Sequence, residues 1–205
     1  MTSAALSLYL LGLLLAFGVR TLAAWWRTGD SGFRRPDTTP FNAAWWSTVL
    51  FAAALFLGLA APVAALTGWL TPVALTHSML GGTGLAVMIA ALVLVLTSQA
   101  AMGASWRVGV DATEHTALVT TGVFAIMRNP VFTAMVMLMA GMVAAVPTVL
   151  ALAALAALVA AVQIQVRAIE EPHLACTHPI TYPAYAARTG RFLPGIGCRY
   201  GARTS

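Results

Sequence analysis

Long apolar stretches constrain the fold of this chain more than any other feature. A helix that crosses a bilayer needs about 20 mostly apolar residues. Five stretches reach or approach that length, at positions 4–26, 42–66, 79–102, 131–146 and 148–166. Because backbone groups in hydrocarbon must find partners inside the chain, such stretches form helices. The pattern predicts an all-α integral membrane protein with about five transmembrane helices.

The composition agrees with a membrane protein and argues against a nucleic-acid-binding one. Only 8% of the residues are charged and 60% are hydrophobic, whereas soluble domains carry about 25% charged residues. The formal charge is +5, and all eleven basic residues are arginine, ten of them in the short connections and the C-terminal part. This distribution is typical of charge at a membrane surface. We therefore predict contact with membrane lipids and no nucleic-acid partner.

The positions of the arginines predict an orientation in the membrane. Connections 27–40 and 103–130 and the tail 167–205 contain arginine, whereas 67–78 and the turn at Pro147 contain none. With five crossings, these two groups fall on opposite faces. The positive-inside rule then places the N-terminus outside and the tail in the cytoplasm. We predict a single membrane domain in which the fourth and fifth helices form a hairpin and the tail forms a cytoplasmic cap.

The stretch MRNPVF, at 127–132, interrupts the apolar sequence. Arginine and asparagine are costly in hydrocarbon, and proline cannot continue a helix. Considered locally, Asn129 is an N-cap, Pro130 is the first helical residue, and Arg128 is an anchor at the level of the lipid phosphates. This interpretation accounts for the stretch without a ligand.

The stretch RAIEE, at 167–171, places Arg167 and Glu171 four residues apart on one face of a helix. The two side chains could form a surface ion pair that ends the helix at the interface. Alternatively, Glu170 and Glu171 could bind the amine of a zwitterionic ligand while Arg167 binds a polar group. Ionisable residues at the membrane edge are functional candidates, so both interpretations stay open here.

The stretch EPHLACTHP, at 171–179, brings His173, Cys176 and His178 close together in sequence. Structural zinc sites use four ligands at characteristic spacings. These three residues offer too few ligands, and too crowded a spacing, so we predict no metal site.

Taken in order, several segments resemble the isoprenylcysteine carboxyl methyltransferase family and its wider group, which includes bacterial homologues and phospholipid N-methyltransferases. The segments are GASWRVGVD (103–111), H-x-x-LVTTGVF (115–124), RNPVF (128–132) at the start of a helix hairpin, R-x-x-EE-x-x-L (167–174) and Y-x-x-Y (182–185). The resemblance covers roughly residues 99–194. It predicts a methyltransferase-like region at 99–205 and leaves the helices of 1–98 without a recognised motif.

The resemblance implies S-adenosylmethionine as the cofactor, bound at the cytosolic face by the loop before the hairpin and the segment after it. It also places Arg167 near the methyl acceptor. An amine or hydroxyl acceptor must lose a proton, and Glu170 or Glu171 is the nearest candidate base for it. Carried over by position, the cofactor-binding residues are Thr116, Ala117, Leu118, Val119, Phe124, Asn129, Pro130, Val131, Phe132 and Glu171.

The chain departs from the family pattern at several of these positions. Phe124 and Phe132 stand where the family has tyrosine, and Asn129 stands where it has histidine. The phenylalanines keep an aromatic face for adenine or a sulfonium but lose the hydroxyl groups. Asn129 can form hydrogen bonds but cannot titrate. The Phe-Gly that follows the acidic motif in the family is replaced by His178 and Pro179.

The sequence therefore predicts an integral membrane S-adenosylmethionine-dependent methyltransferase acting on a lipophilic or membrane-delivered small molecule. Arginine without lysine and abundant alanine favour a GC-rich bacterial genome, and hence a bacterial inner membrane with the active face cytoplasmic. Two alternatives remain at this point. One is a non-catalytic binding or transport protein on the same scaffold, suggested by the changes at 124, 129 and 132. The other is an NADPH-dependent membrane reductase, since sterol reductases are distantly similar in this region.

Overall fold

The computed structural model describes residues 1–19, 39–72, 78–102 and 118–198, together with Thr21 and Trp26. Within these residues the chain is helical and forms no β-sheet, which confirms the predicted all-α fold. The helices are α1 (Thr2–Leu13), α2 (Ala43–Leu66), α3 (Ser78–Met102), α4 (Pro130–Ala145), α5 (Val149–Ile164), α6 (Glu171–Thr177) and α7 (Thr181–Arg188).

Three helical segments are long and apolar enough to cross a membrane. They are Ala43–Leu66, Met79–Met102 and Val149–Thr177, and the last of these runs without a break from α5 into α6. Two apolar helices, Thr2–Gly18 and Pro130–Ala145, are shorter. A helix of 16 residues such as α4 is about 24 Å long, less than a hydrocarbon core of about 30 Å. Five crossings and their orientation thus stay a prediction.

The predicted hairpin joins α4 to α5 through Pro147 and Thr148. The Thr148 hydroxyl accepts a hydrogen bond from the backbone N–H of Ala151 at 3.2 Å, so threonine caps the start of α5. Asn42 caps α2 in the same way, with its side-chain oxygen 2.7 Å from the backbone nitrogen of Trp45. Both helices begin where local polar signals in the sequence place them.

Small residues let the helices pack closely. Helix α3 packs along α4, and α2 packs along α5. At the first contact Gly84 faces Gly141, and a Cβ atom on either glycine would meet the other's carbonyl oxygen at 2.6 Å. Close approach through small residues is the usual basis of helix association in membranes. This contact holds the start of α3 against the end of α4.

Two π-helical turns interrupt the regular helices, at Leu14–Val19 after α1 and at Gln165–Glu170 between α5 and α6. Such turns are rare and often mark functional positions. At the first turn, the buried side chain of Gln99 donates hydrogen bonds to the carbonyl oxygens of Leu15 at 2.9 Å and Ala16 at 3.3 Å. At the second turn, the chain carries the acidic pair of the RAIEE stretch.

Residues 189–198 fold back against the start of α4. Backbone N–H groups of Arg128 and Asn129 donate to the carbonyl oxygens of Gly190 and Arg191, at 2.8 Å and 3.1 Å. The segment then reverses through Leu193-Pro194-Gly195-Ile196, where proline followed by a glycine with φ of 70° has the sequence and backbone of a type II turn. We call residues 190–197 the C-terminal turn. It brings part of the predicted cap against MRNPVF.

Candidate functional site

A buried ion pair between Arg128 and Glu171 lies where α4, α6 and the C-terminal turn meet. Nη2 of Arg128 is 2.9 Å from Oε1 of Glu171, and each side chain is only 2% exposed. Arg191 binds the same carboxylate from the other side, with Nε 2.8 Å from Oε1 and Nη2 2.9 Å from Oε2. Both oxygens of Glu171 are thus held by guanidinium groups, in the bidentate manner that arginine favours.

Backbone carbonyl groups satisfy most of the remaining Arg128 donors. Nη1 donates to Ala186 O at 2.7 Å and to Thr189 O at 3.0 Å, and Nη2 donates to Gly197 O at 3.0 Å. A buried charge is tolerated only when it is paired and hydrogen-bonded in this way. The prediction that Arg128 anchors the chain at the lipid phosphates is therefore wrong, because its guanidinium lies inside the protein.

Asn129 occupies the N-cap position of α4, and Pro130 is the first helical residue, as predicted. The Asn129 side chain, however, does not cap the helix. Its Nδ2 donates to the carbonyl oxygen of Arg191 at 3.0 Å. Thr133, one turn further along α4, donates to Phe192 O at 2.9 Å. The polar start of α4 therefore serves mainly to bind the C-terminal turn.

Glu170 points away from the cluster of arginines. Consecutive residues on a helix differ in direction by about 100°, and Glu170 is directed towards Gln165, whose Nε2 donates to its Oε1 at 3.1 Å. Oε1 of Gln165 in turn accepts a hydrogen bond from the Ser47 hydroxyl of α2 at 3.0 Å. Among the described residues Glu170 has no arginine partner. The acidic pair thus contains one carboxylate held by cations and one that is not.

The predicted Arg167–Glu171 surface ion pair does not form. Arg167 is exposed, whereas Glu171 is 2% exposed and pairs with Arg128 and Arg191. The surface interpretation fails because position 171 faces the junction of three elements rather than solvent. The structure brings Glu171 to the RNPVF motif and leaves Arg167 on the outside of the helix.

The other predicted cofactor-binding residues fall into separate groups. Thr116 and Ala117 lie outside the described residues. Leu118 packs beside the tyrosines of α7, and Phe124 is buried in a short 3₁₀ turn. Pro130 is buried, Val119 and Val131 are half-buried, and Phe132 packs against the main core. The grouping of these positions into one cofactor pocket stays a prediction.

Tyr185 connects the loop before α4 to helix α7. Its hydroxyl donates a hydrogen bond to the carbonyl oxygen of Phe124 at 2.6 Å, and the residue is 3% exposed. Burial raises the pKa of Tyr185 to about 12, although nearby Arg128 and Arg188 lower it in part. Hydrogen bonding to Glu171 likewise raises the pKa of Arg191. These groups keep their ordinary charges at neutral pH, which preserves the network.

Sequence reasoning missed Arg191 and the roles of Arg128 and Gln165. The sequence predicts that the tail is a polar cap whose arginines lie at the membrane surface. The Leu-Pro-Gly-Ile turn signal was present in the sequence, and it indicates that the chain reverses there. Neither the turn nor the charge pattern identifies which carboxylate the returning arginine meets.

Comparison with known families gives a match to the central part of the chain. Residues 80–178 match the sequence model of one family. That family is the phospholipid methyltransferases. The matched segment covers just under half of the chain and includes α3 to α6 with Arg128, Glu170 and Glu171. No curated protein and no solved structure matches the chain.

Phospholipid methyltransferases belong to the same group of integral membrane methyltransferases as the isoprenylcysteine carboxyl methyltransferases. The resemblance inferred from the ordered motifs is therefore confirmed at the level of this group. The family match supports methyl transfer in general as the activity. The C-terminal turn with Arg191 lies beyond residue 178, and Ser47 of α2 lies before residue 80, so both are contributions from outside the matched segment.

Proposed function

We propose that the protein is an integral membrane methyltransferase that transfers a methyl group from S-adenosylmethionine to a lipophilic acceptor. The observation that carries this proposal is the Arg128–Glu171 ion pair, because it joins two family motifs that are 43 residues apart in sequence. A buried pair at this junction fixes the start of α4 relative to α6. The resemblance assigns the cofactor to the loop before the hairpin and the segment after it, and the ion pair holds these two parts of the chain against each other.

The residues near this junction fit the parts of the cofactor. S-adenosylmethionine carries an adenine ring, an ammonium group and a sulfonium centre. Aromatic faces at Phe124 and Phe132 suit the ring or the sulfonium. We assign the cofactor to Thr116–Val119, Phe124 and Asn129–Phe132, with Glu171 holding these segments in place through its arginines.

The expected reaction needs accurate positioning more than strong acid–base chemistry. When bound, S-adenosylmethionine supplies an activated methyl group. The protein would place the acceptor in line with the methyl–sulfur bond and exclude water from the site. A lipophilic acceptor can reach the site from the bilayer between helices, while the charged cofactor enters from the aqueous side. Arg167, exposed at the same end of the helix, is proposed to contact the polar end of the acceptor.

Binding of the cofactor tests the first half of the proposal. Purified protein in lipid nanodiscs is titrated with tritiated S-adenosylmethionine, with unlabelled S-adenosylhomocysteine as competitor. We expect saturable binding that the competitor displaces. A folded protein that binds no label contradicts the proposal. Thermal stabilisation by NADPH but not by S-adenosylmethionine would favour the reductase alternative instead.

A further inference from the structure

The π-helical turn at Gln165–Glu170 creates a contact that a regular α-helix forbids. Residues five apart on an α-helix point about 140° away from each other. The π-turn instead pairs residue i with residue i+5, and Gln165 and Glu170 are five apart. Here Nε2 of Gln165 lies 3.1 Å from Oε1 of Glu170. The rare turn thus places an amide donor directly on the acidic side chain.

Ser47 fixes the orientation of that amide. Its hydroxyl is 3.0 Å from Oε1 of Gln165 and 3.3 Å from the carbonyl oxygen of Ala161. Ser47 is 4% exposed, so water does not readily replace it. Because the ionised carboxylate of Glu170 can only accept, Nε2 of Gln165 donates to it, and Oε1 of the same amide is left to accept from the Ser47 hydroxyl. The two hydrogen bonds therefore have the same direction, from Ser47 of α2 to Gln165 and from Gln165 to Glu170.

The two neighbouring carboxylates, Glu170 and Glu171, differ in their hydrogen-bond partners. Glu171 accepts hydrogen bonds on both oxygens from Arg128 and Arg191, which stabilise its charged form and occupy the atoms that could take a proton. Glu170 accepts a single hydrogen bond on Oε1, and no described residue bonds to its Oε2. Glu170 is half-buried, whereas Glu171 is 2% exposed. Glu170 is the carboxylate that remains free to receive a proton.

We propose that Ser47 and Gln165 are positioning residues that hold Glu170 to take the proton of an amine or hydroxyl acceptor. This inference rests on the proposed methyltransferase function. It gives α2, which lies outside the family match, a part in the reaction. It also selects the chemical class of the acceptor, because a carboxylate or thiolate acceptor would need no base.

Methyl transfer to an amine or hydroxyl acceptor releases one proton, which Glu170 would take up. The acceptor nitrogen or oxygen forms a bond to the methyl carbon, and the methyl–sulfur bond breaks with its electron pair left on sulfur. The sulfonium thereby becomes a neutral thioether. The acceptor's proton moves to Oε2 of Glu170, which becomes a carboxylic acid and later returns the proton to water. General bases of this kind contribute about 10²- to 10⁴-fold to a rate.

A double-mutant cycle on methyl transfer tests the positioning role. The full chain in nanodiscs is given tritiated S-adenosylmethionine and the lipid extract of its host membrane as acceptor source. We expect Glu170→Gln to lower kcat by about 10²-fold or more, with an unchanged Kd for the cofactor. Gln165→Leu should lower kcat by about tenfold, since a displaced catalytic group is costly, and Ser47→Ala should lower it less.

The decisive comparison is Gln165→Leu made in the Glu170→Gln background. A residue that acts only through Glu170 should cost nothing further there, whereas a residue needed for folding should cost the same in both backgrounds. Thr48→Ala is the matched control, because Thr48 is exposed and, among the described residues, its hydroxyl bonds only to Ala44 O of its own helix. Ser47→Thr keeps the hydroxyl and should restore the rate lost in Ser47→Ala.

Each contrary result has a distinct meaning. Additive losses in the double variant, or a Gln165→Leu rate equal to wild type, overturn the positioning role while leaving the methyltransferase proposal intact. Label recovered as a base-labile methyl ester identifies a carboxylate acceptor and also overturns it. Wild-type protein that binds cofactor but labels nothing overturns the base role, and wild-type protein that binds no cofactor overturns the proposed function itself.

Discussion

Arg128 and Glu171 lie 43 positions apart in sequence and meet at 2.9 Å, with each side chain 2% exposed. The pair joins the start of α4 to the start of α6, and Arg191 adds the C-terminal turn to the same carboxylate. Three separate segments are therefore tied to one buried acidic group. We expect the segments proposed to bind the cofactor to keep their relative positions only while this ion pair is intact.

Glu171→Gln should strongly destabilise the protein. Removing one charge of a buried pair leaves the other uncompensated, at a cost of about 3–5 kcal/mol. Here two arginines would lose their counter-charge. We expect a lower free energy of unfolding, measured by thermal unfolding in detergent. Glu170→Gln is the neighbouring control and should change stability little, since Glu170 has no arginine partner among the described residues. Equal effects of the two variants would contradict the assigned roles.

Gly190→Ala should detach the C-terminal turn. A Cβ at this position would overlap the carbonyl oxygen of Leu193 and lie 2.8 Å from the backbone nitrogen of Gly195. Backbone atoms cannot move aside as a flexible side chain can, so we expect faster proteolysis within residues 190–197 and a loss of stability. Gly82→Ala is the control, because a Cβ there meets nothing within 4 Å. Unchanged proteolysis in Gly190→Ala would show that the turn is not packed as described.

Tyr185→Phe should weaken the link between α7 and the loop before α4. The variant leaves the Phe124 carbonyl oxygen without its donor, which costs about 1–3 kcal/mol for a buried group. The pKa of Tyr185 is raised by burial to about 12, so its contribution is complete below pH 10 and is lost as the pH rises from 10 to 12. Thermal midpoints measured between pH 7 and 11 should therefore converge for wild type and variant at the alkaline end. A constant difference across this range would contradict the assignment.

The parts of this structure that the sequence predicts are those specified by local signals. Thr148 and Pro130 mark helix starts through capping and proline chemistry that depend only on neighbouring residues. The long apolar stretches predict helices because backbone groups in hydrocarbon must find their hydrogen-bond partners within the same segment. The π-turn at Gln165–Glu170 could not be anticipated, because nothing in the residue types of that segment distinguishes it from regular helix.

The contacts of the site depend on the fold and were less accessible from sequence. The four-residue spacing favours Arg167 as a partner of Glu171, yet its arginine partners in the structure are 43 and 20 residues away. Opposite charges select a partner only after packing has brought them together. The family resemblance compensated in part, since it indicated that the RNPVF and acidic motifs belong to one site, and the Arg128–Glu171 pair places them together.

Methyl labelling of membranes tests the proposed methyltransferase activity most directly. Membranes containing the protein, and matched membranes without it, are incubated with methyl-tritiated S-adenosylmethionine, and the lipid extract is separated and counted. We predict a labelled lipophilic species that depends on the protein and falls sharply in Glu170→Gln. Equal labelling with and without folded, membrane-inserted protein would contradict it.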